Sequence, residues 1–217
     1  MNRESRNQTK IFKVRPGRVP KRVVGETVRV LEEGGVVIFP TDTVYGLSAG
    51  VFRPQAISRI YRLKGRSYKK PLPFLAARLD QVRPLVEPLS ARLEKLLKDY
   101  WPGPLTVVFK TSSLGRWITG GKETAAFRVP RHPLTLTLLK EAGVPVAATS
   151  ANPSGKEPAV TGAQAVRSFG GRVDLILDAG SCPLGEASTV LDASSQAWTL
   201  AREGAVKKKE LLKYLDL

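Results

Sequence analysis

The chain has 217 residues, 42% of them apolar and 25% charged, enough to bury a sizeable core and ordinary for one α/β domain. One cysteine and one histidine exclude an intramolecular disulfide framework and a structural zinc site. The net charge of +16 points to an anionic partner, and apolar runs such as Val36 to Phe39 and Val144 to Ala148 are far shorter than the ~20 residues that cross a bilayer.

Residues 1–22 hold eight Lys or Arg against the single acid Glu4, with Pro16, Gly17 and Pro20 among them. This predicts a basic, flexible arm with no signal peptide, hence a cytoplasmic protein without membrane attachment whose folded part spans 23–217. Apolar residues at 23, 24, 28 and 31 fall on helical spacing, and Gly34-Gly35 stops that helix. Val36 to Phe39 reads as a buried strand closed by Pro40. Pro54 opens a helix with Ile57, Ile60, Tyr61 and Leu63 on one face. A second basic cluster covers 59–83, with eight Lys or Arg against Asp80.

Further strands are predicted at 72–76, 105–109, 125–129, 144–148, 173–177, 188–192 and 197–201. Helices are predicted at 88–100, 133–141, 161–168 and 207–215, and a polar Pro/Gly loop at 150–160. Helices alternating with short apolar strands argue for a single α/β domain with a largely buried mixed sheet. Strand order is not legible in this pattern.

Several chemistries are excluded. The P-loop form is absent, since Gly115 to Gly120 runs into Gly121-Lys122-Glu123 without the lysine and hydroxyl in place. His132, in Pro130-Arg131-His132-Pro133, reads as a corner residue and not as a catalytic base. Cys182 reads as a small packing residue rather than a nucleophile, and no motif singles out a carboxylate pair. What remains is a set of hydroxyls, lysines and arginines at strand ends and in Gly/Pro loops. Such a set binds anions and suits phosphoryl or nucleotidyl transfer, where positioning and charge neutralisation carry the catalysis.

Five segments share this character: Phe39-Pro40-Thr41-Asp42-Thr43-Val44-Tyr45-Gly46-Leu47; Lys64-Gly65-Arg66 with Lys69-Lys70-Pro71-Leu72; Trp101-Pro102-Gly103-Pro104-Leu105-Thr106; Phe127-Arg128-Val129-Pro130 joined to Ala148-Thr149-Ser150-Ala151-Asn152-Pro153-Ser154-Gly155; and Gly185-Glu186-Ala187-Ser188-Thr189-Val190 with Leu200-Ala201-Arg202-Glu203-Gly204. In register over 23–215 they resemble the YrdC family of threonylcarbamoyl-AMP synthases. The resemblance implies a twisted mixed sheet flanked by helices, with a concave basic face, in the short single-domain form. It implies an enzyme that condenses L-threonine, bicarbonate and ATP; Mg²⁺ is expected to accompany the nucleotide, and the sequence identifies no protein ligand for it. Pyrophosphate is released, and the product feeds tRNA threonylcarbamoyladenosine modification through a downstream transferase.

By the same resemblance Thr43, Arg128 and Ser188 contact threonine, while Lys64, Arg66, Lys70, Thr124, Ser150, Asn152 and Arg202 contact the nucleotide. Lys64 and Arg66 are the catalytic pair that stabilises charge on the phosphates. The residues themselves leave alternatives: Thr41 and Thr43 bonding backbone in a turn, Lys64 and Arg66 as a solvated helix terminus, and Asn152 in an Asx turn before Pro153. Arg128 lies in an apolar strand, where a lone charge is costly, so it is expected to meet an anion. Lys70, Leu75 and Ala159 depart from asparagine, histidine and serine found in some members. Two competing readings stand beside the synthase: binding of double-stranded RNA, tRNA or rRNA without catalysis, for which the charge argues, and a divergent member that has lost threonine selectivity.

Overall fold

The computed structural model describes residues 8–15 and 17–215. Its strands are β1 (Lys10–Lys13), β2 (Val36–Phe39), β3 (Gly46–Gly50), β4 (Phe74–Leu75), β5 (Leu105–Lys110), β6 (Thr124–Arg128), β7 (Val146–Ser150), β8 (Leu175–Asp178), β9 (Thr189–Asp192) and β10 (Thr199–Arg202). The helices are α1 (Lys21–Glu32), α2 (Pro54–Lys64), α3 (Ala91–Tyr100), α4 (Ser113–Ile118), α5 (Pro133–Ala142), α6 (Gly162–Phe169) and α7 (Lys208–Leu211). All ten strands form one mixed sheet in the order β1-β8-β2-β3-β7-β4-β6-β5-β9-β10. The α/β class and the helix-flanked mixed sheet are as expected from the sequence.

Helix α1 buries Val24, Thr27, Val28 and Leu31, one stripe at helical spacing. Gly34, with φ of +86°, then turns the chain into β2. Within β2 the side chains alternate: Val36 and Ile38 join one apolar cluster, Val37 and Phe39 the other. The first cluster gathers Leu47, Phe74, Ala147, Phe127, Val107 and Leu191 beneath helices α2, α3 and α6. On the opposite face α1 and α5 cover Val37, Phe39, Leu75 and Ala148 with Val28, Leu31, Leu134 and Leu138.

That second cover is incomplete. On β6, Ala125 and Phe127 enter the first cluster while Ala126 and Arg128 turn the other way; on β5, Leu105, Val107 and Phe109 enter it while Thr106 and Val108 turn away. Together with Leu75, Ala148 and Val190 these outward residues line a cleft built from strands and loops alone. The strand period of two therefore fixes which side chains face it.

Three elements differ from the sequence reading. Lys10–Lys13, expected in the arm, is an edge strand parallel to β8, pairing Lys10 with Leu175 and Phe12 with Leu177. Thr9 anchors its start, donating to Val173 O at 2.6 Å and accepting from Gly171 N–H at 2.7 Å. An edge strand accommodates charged residues, which is why its composition resembles an arm; residues 1–7 of that arm lie outside the described residues. Strand β3, Gly-Leu-Ser-Ala-Gly, has little β propensity yet is buried between β2 and β7. Short helix α4 is set by a local cap, the Ser112 side chain accepting from Gly115 N–H. At the far edge β10 pairs only with β9, and its register shifts between Leu200 and Arg202.

Replacing Thr9 with Val removes both of its hydrogen bonds while keeping the side-chain shape. Denaturant unfolding is expected to give a loss of about 1–3 kcal/mol, whereas a free arm would give no change.

Candidate active site

The cleft has a volume of about 330 Å³ and is lined by Thr43, Arg66, Arg128, Ser150, Ser188 and Arg202 among others. Six of the expected site residues are thus brought together. Leu75 belongs to its apolar wall, so no imidazole faces the cleft from that position.

Two kinds of cationic end are distinguishable. Arg128, 5% exposed, is clamped on three sides: Nε donates to Gly103 O at 2.9 Å, Nη1 to Thr43 Oγ1 at 2.7 Å and Nη2 to Asp42 Oδ1 at 2.6 Å. The anion that the buried arginine was expected to meet is therefore supplied by the chain itself, as Asp42. Burial lowers the Arg128 pKa and Asp42 opposes that. Sequence reasoning missed this carboxylate, although it lies between the two threonines of its first motif.

Arg66 and Arg202 form the other end. Arg66 donates to the carbonyls of Lys70 at 2.9 Å and Pro71 at 3.1 Å; Arg202 donates to Ser188 O at 2.6 Å and Ser188 Oγ at 3.3 Å. Neither meets an acidic side chain among the described residues. Burial lowers the Arg202 pKa, and the charge of Arg66 lowers it further, so two like charges are held close together. Ser188 Oγ in turn lies 2.9 Å from Thr106 Oγ1. Gly65, with φ of +61°, ends α2 and separates the directions of Lys64 and Arg66.

Lys64 turns inward. It is 4% exposed, and its Nζ donates to Ser150 O at 2.5 Å, Asn152 O at 2.7 Å and Asn152 Oδ1 at 3.1 Å. With Ser154 N–H donating to Lys64 O at 2.8 Å, this ties the end of α2 to the loop after β7. Lys64 is thus absent from the cleft lining and supports it from behind. Burial, aided by Arg66, lowers its pKa to about 8. Asn152 is also turned away: its Nδ2 donates to Pro153 O at 3.0 Å and Lys156 O at 2.6 Å, while its Oδ1 accepts from Lys64 and not from a backbone N–H as an Asx turn would have it.

Two more expected nucleotide contacts lie outside the cleft. Lys70 is exposed and uses its carbonyl to hold Arg66 and Tyr61. Thr124 is exposed at the start of β6, beside a separate cavity of about 110 Å³ under Tyr61, Tyr68 and Phe74. Ala159 is buried and bonds Tyr45 and Ala151 through its backbone.

Neither His132 nor Cys182 lines the cleft. Burial lowers the His132 pKa, and its Nδ1 lies 3.4 Å from Thr135 Oγ1. Burial likewise pushes the Cys182 thiol up to about 11, disfavouring the thiolate at neutral pH. Among the described residues no Asp or Glu side chain lines the cleft.

Fold and cleft define an α/β protein with a cationic site on the open half-face of a mixed sheet. The chain belongs to the Sua5/YciO/YrdC family, whose model, described as Telomere recombination, matches residues 29–204. It is 37% identical over 190 residues to a threonylcarbamoyl-AMP synthase of Bacillus subtilis, covering 87% of this chain and 55% of that one. A synthase of the same name from Halorhodospira halophila is 35% identical over 184 residues, covering 84% and 96%. The structure of Pyrococcus abyssi Sua5 in complex with L-threonine superposes with a TM-score of 0.89 at 36% identity, covering 96% of this chain and 61% of that one. The chain therefore spans under two thirds of the Bacillus and Pyrococcus proteins and nearly all of the Halorhodospira one.

Lys64→Met leaves three buried acceptors without their donor, and calorimetry should record a lower Tm. Titration with inorganic pyrophosphate should give affinity that falls along an alkaline limb centred near pH 8 as Lys64 loses its proton. The limb should vanish in the variant. For stability the sign is opposite: the unfolded lysine binds more protons between pH 8 and 10.5, so this term favours folding as pH rises.

Proposed function

We propose that this chain is the catalytic unit of a threonylcarbamoyl-AMP synthase. The observation that carries the reading is the division of one cleft into a compensated arginine beside hydroxyls and two arginines held only by carbonyls and hydroxyls. The first end suits the carboxylate of a zwitterionic amino acid. The second suits a polyphosphate, because its positive charge has no counter-ion among the described residues.

In this reading Arg128 and Thr43 hold the threonine carboxylate, and Ser188, 8% exposed beside Thr106, contacts the same substrate. The threonine amine adds to bicarbonate with loss of water to form a carboxy-amine. One oxygen of its carboxylate attacks the α-phosphorus of ATP, the bond to the β-phosphate oxygen breaks, and pyrophosphate leaves with the electron pair. Arg66 and Arg202 neutralise charge that builds on the phosphates. Lys64 keeps the Ser150–Asn152 backbone in place for the nucleotide. Mg²⁺ enters with ATP as part of the substrate. The chemistry calls for no protein nucleophile, which agrees with a cleft free of His and Cys side chains.

The product is the intermediate of tRNA threonylcarbamoyladenosine modification, and a downstream transferase consumes it. RNA contact is an accessory property of the +16 surface. The apolar wall of Leu75, Ala126 and Ala148 supports retained preference for threonine, whose methyl group adds apolar area to bury.

The test is pyrophosphate release with threonine or bicarbonate omitted in turn and serine offered in place of threonine. Release is expected only with both, and faster with threonine. Arg66→Ala and Arg202→Ala should each raise the KM for ATP by about tenfold or more, the worth of a charge-assisted bond to phosphate. Arg128→Ala should abolish threonine-dependent release while leaving salt-sensitive RNA affinity nearly unchanged. Release that ignores threonine would discard the reading.

A further inference from the structure

Asp42 is buried but does not line the cleft. Its Oδ1 accepts from Arg128 Nη2 at 2.6 Å and from the Arg131 backbone N–H at 3.0 Å, while its other oxygen is buried with no hydrogen-bond partner among the described residues. A half-satisfied buried carboxylate is unfavourable by itself. An asparagine would present an oxygen to the same two donors but leave the buried Arg128 charge uncompensated, so the acid is matched to that guanidinium.

The consequence appears at Arg128. A planar guanidinium bound along three of its five N–H directions has no freedom to swing, and Gly103, Thr43 and Asp42 supply those three. Two N–H groups are left for a ligand. Thr43 Oγ1 accepts from Arg128 and lies 2.9 Å from Thr41 Oγ1. Thr41 is itself committed, donating to Val44 O at 2.7 Å and accepting from the N–H groups of Thr43 and Val44. The Thr43 proton therefore rests on Thr41 or turns to a ligand, so Arg128 and Thr43 both present donors. The Asp42 charge also cancels that of Arg128, so a polyphosphate is drawn to Arg66 and Arg202, which have no such partner.

We propose that Asp42 is a positioning residue for the carboxylate-binding end of the cleft, holding Arg128 in one orientation and reserving it from phosphate. This rests on the threonine reading above. It makes selectivity at Arg128 a matter of aim and leaves field strength to the other two arginines.

The experiment measures KM for threonine and for ATP separately in the unmutated protein, Asp42→Asn and Asp42→Glu, with folding checked by circular dichroism. Asp42→Asn removes the charge but keeps an acceptor. Asp42→Glu keeps the charge, and so the fold, but displaces the arginine head by about a methylene. Both variants are expected to raise the threonine KM by about tenfold or more and to leave the ATP KM and kcat within about threefold. Should Asp42→Asn fail to fold, Asp42→Glu decides. Unchanged threonine KM, or equal rises in both KM values, would overturn the inference, since a merely structural role loosens both ends together. Absence of threonine-dependent turnover in the unmutated protein would instead remove the underlying reading, and the inference with it.

Discussion

A β-strand has two faces, and in this sheet one face of β5, β6 and β9 is left without a helix. Everything functional follows from that constraint. Helices α1 and α5 cover only part of this face, while α2, α3 and α6 seal the other. The strip left uncovered by helices must then carry side chains that tolerate water or a ligand. Thr106, Ala126, Arg128 and Ser188 stand there, whereas their sequence neighbours Leu105, Phe127 and Thr189 are fully buried.

Electrostatics then divides the strip. A buried guanidinium without a partner would destabilise the fold strongly, and Arg128 is stabilised by Asp42 from beneath. Arg66 and Arg202 sit nearer solvent and are held by carbonyl dipoles, which orient a cation without neutralising it. One cleft therefore offers a neutral, directional end and a charged, attractive end. Lys64 works behind the cleft, fastening the end of α2 to the loop after β7.

Much of this was legible in the sequence because its signals were local. The apolar run Val36 to Phe39, the Pro54 start of α2 and the glycines after α1 and α2 each fix structure within a few residues. The motif residues Thr43, Arg66, Arg128, Ser150, Ser188 and Arg202, distant in the chain, line one cleft. What escaped depended on long-range pairing. β1 is a strand only because β8 offers its edge, and β3 only because β2 and β7 flank it. For the same reason Lys64 and Asn152, which read as phosphate and ribose contacts in one dimension, are each other's partners in three. Arg128 was correctly expected to meet an anion, but nothing in a linear reading identified Asp42 as the one.

The far edge of the sheet has a dynamic consequence. Arg202 ends β10, which hangs on β9 alone and has an irregular register just before that residue. Edge segments with a single ladder open at a small fraction of the global unfolding free energy. One of the two uncompensated arginines is thus mounted on the least anchored strand of the cleft, facing a partner rooted in the helix-covered body. An anion that bridges them acts as a rivet, closing the loose margin of the sheet onto its rigid part. Occupancy would then be felt as slower amide exchange along β10, well before any change in overall shape.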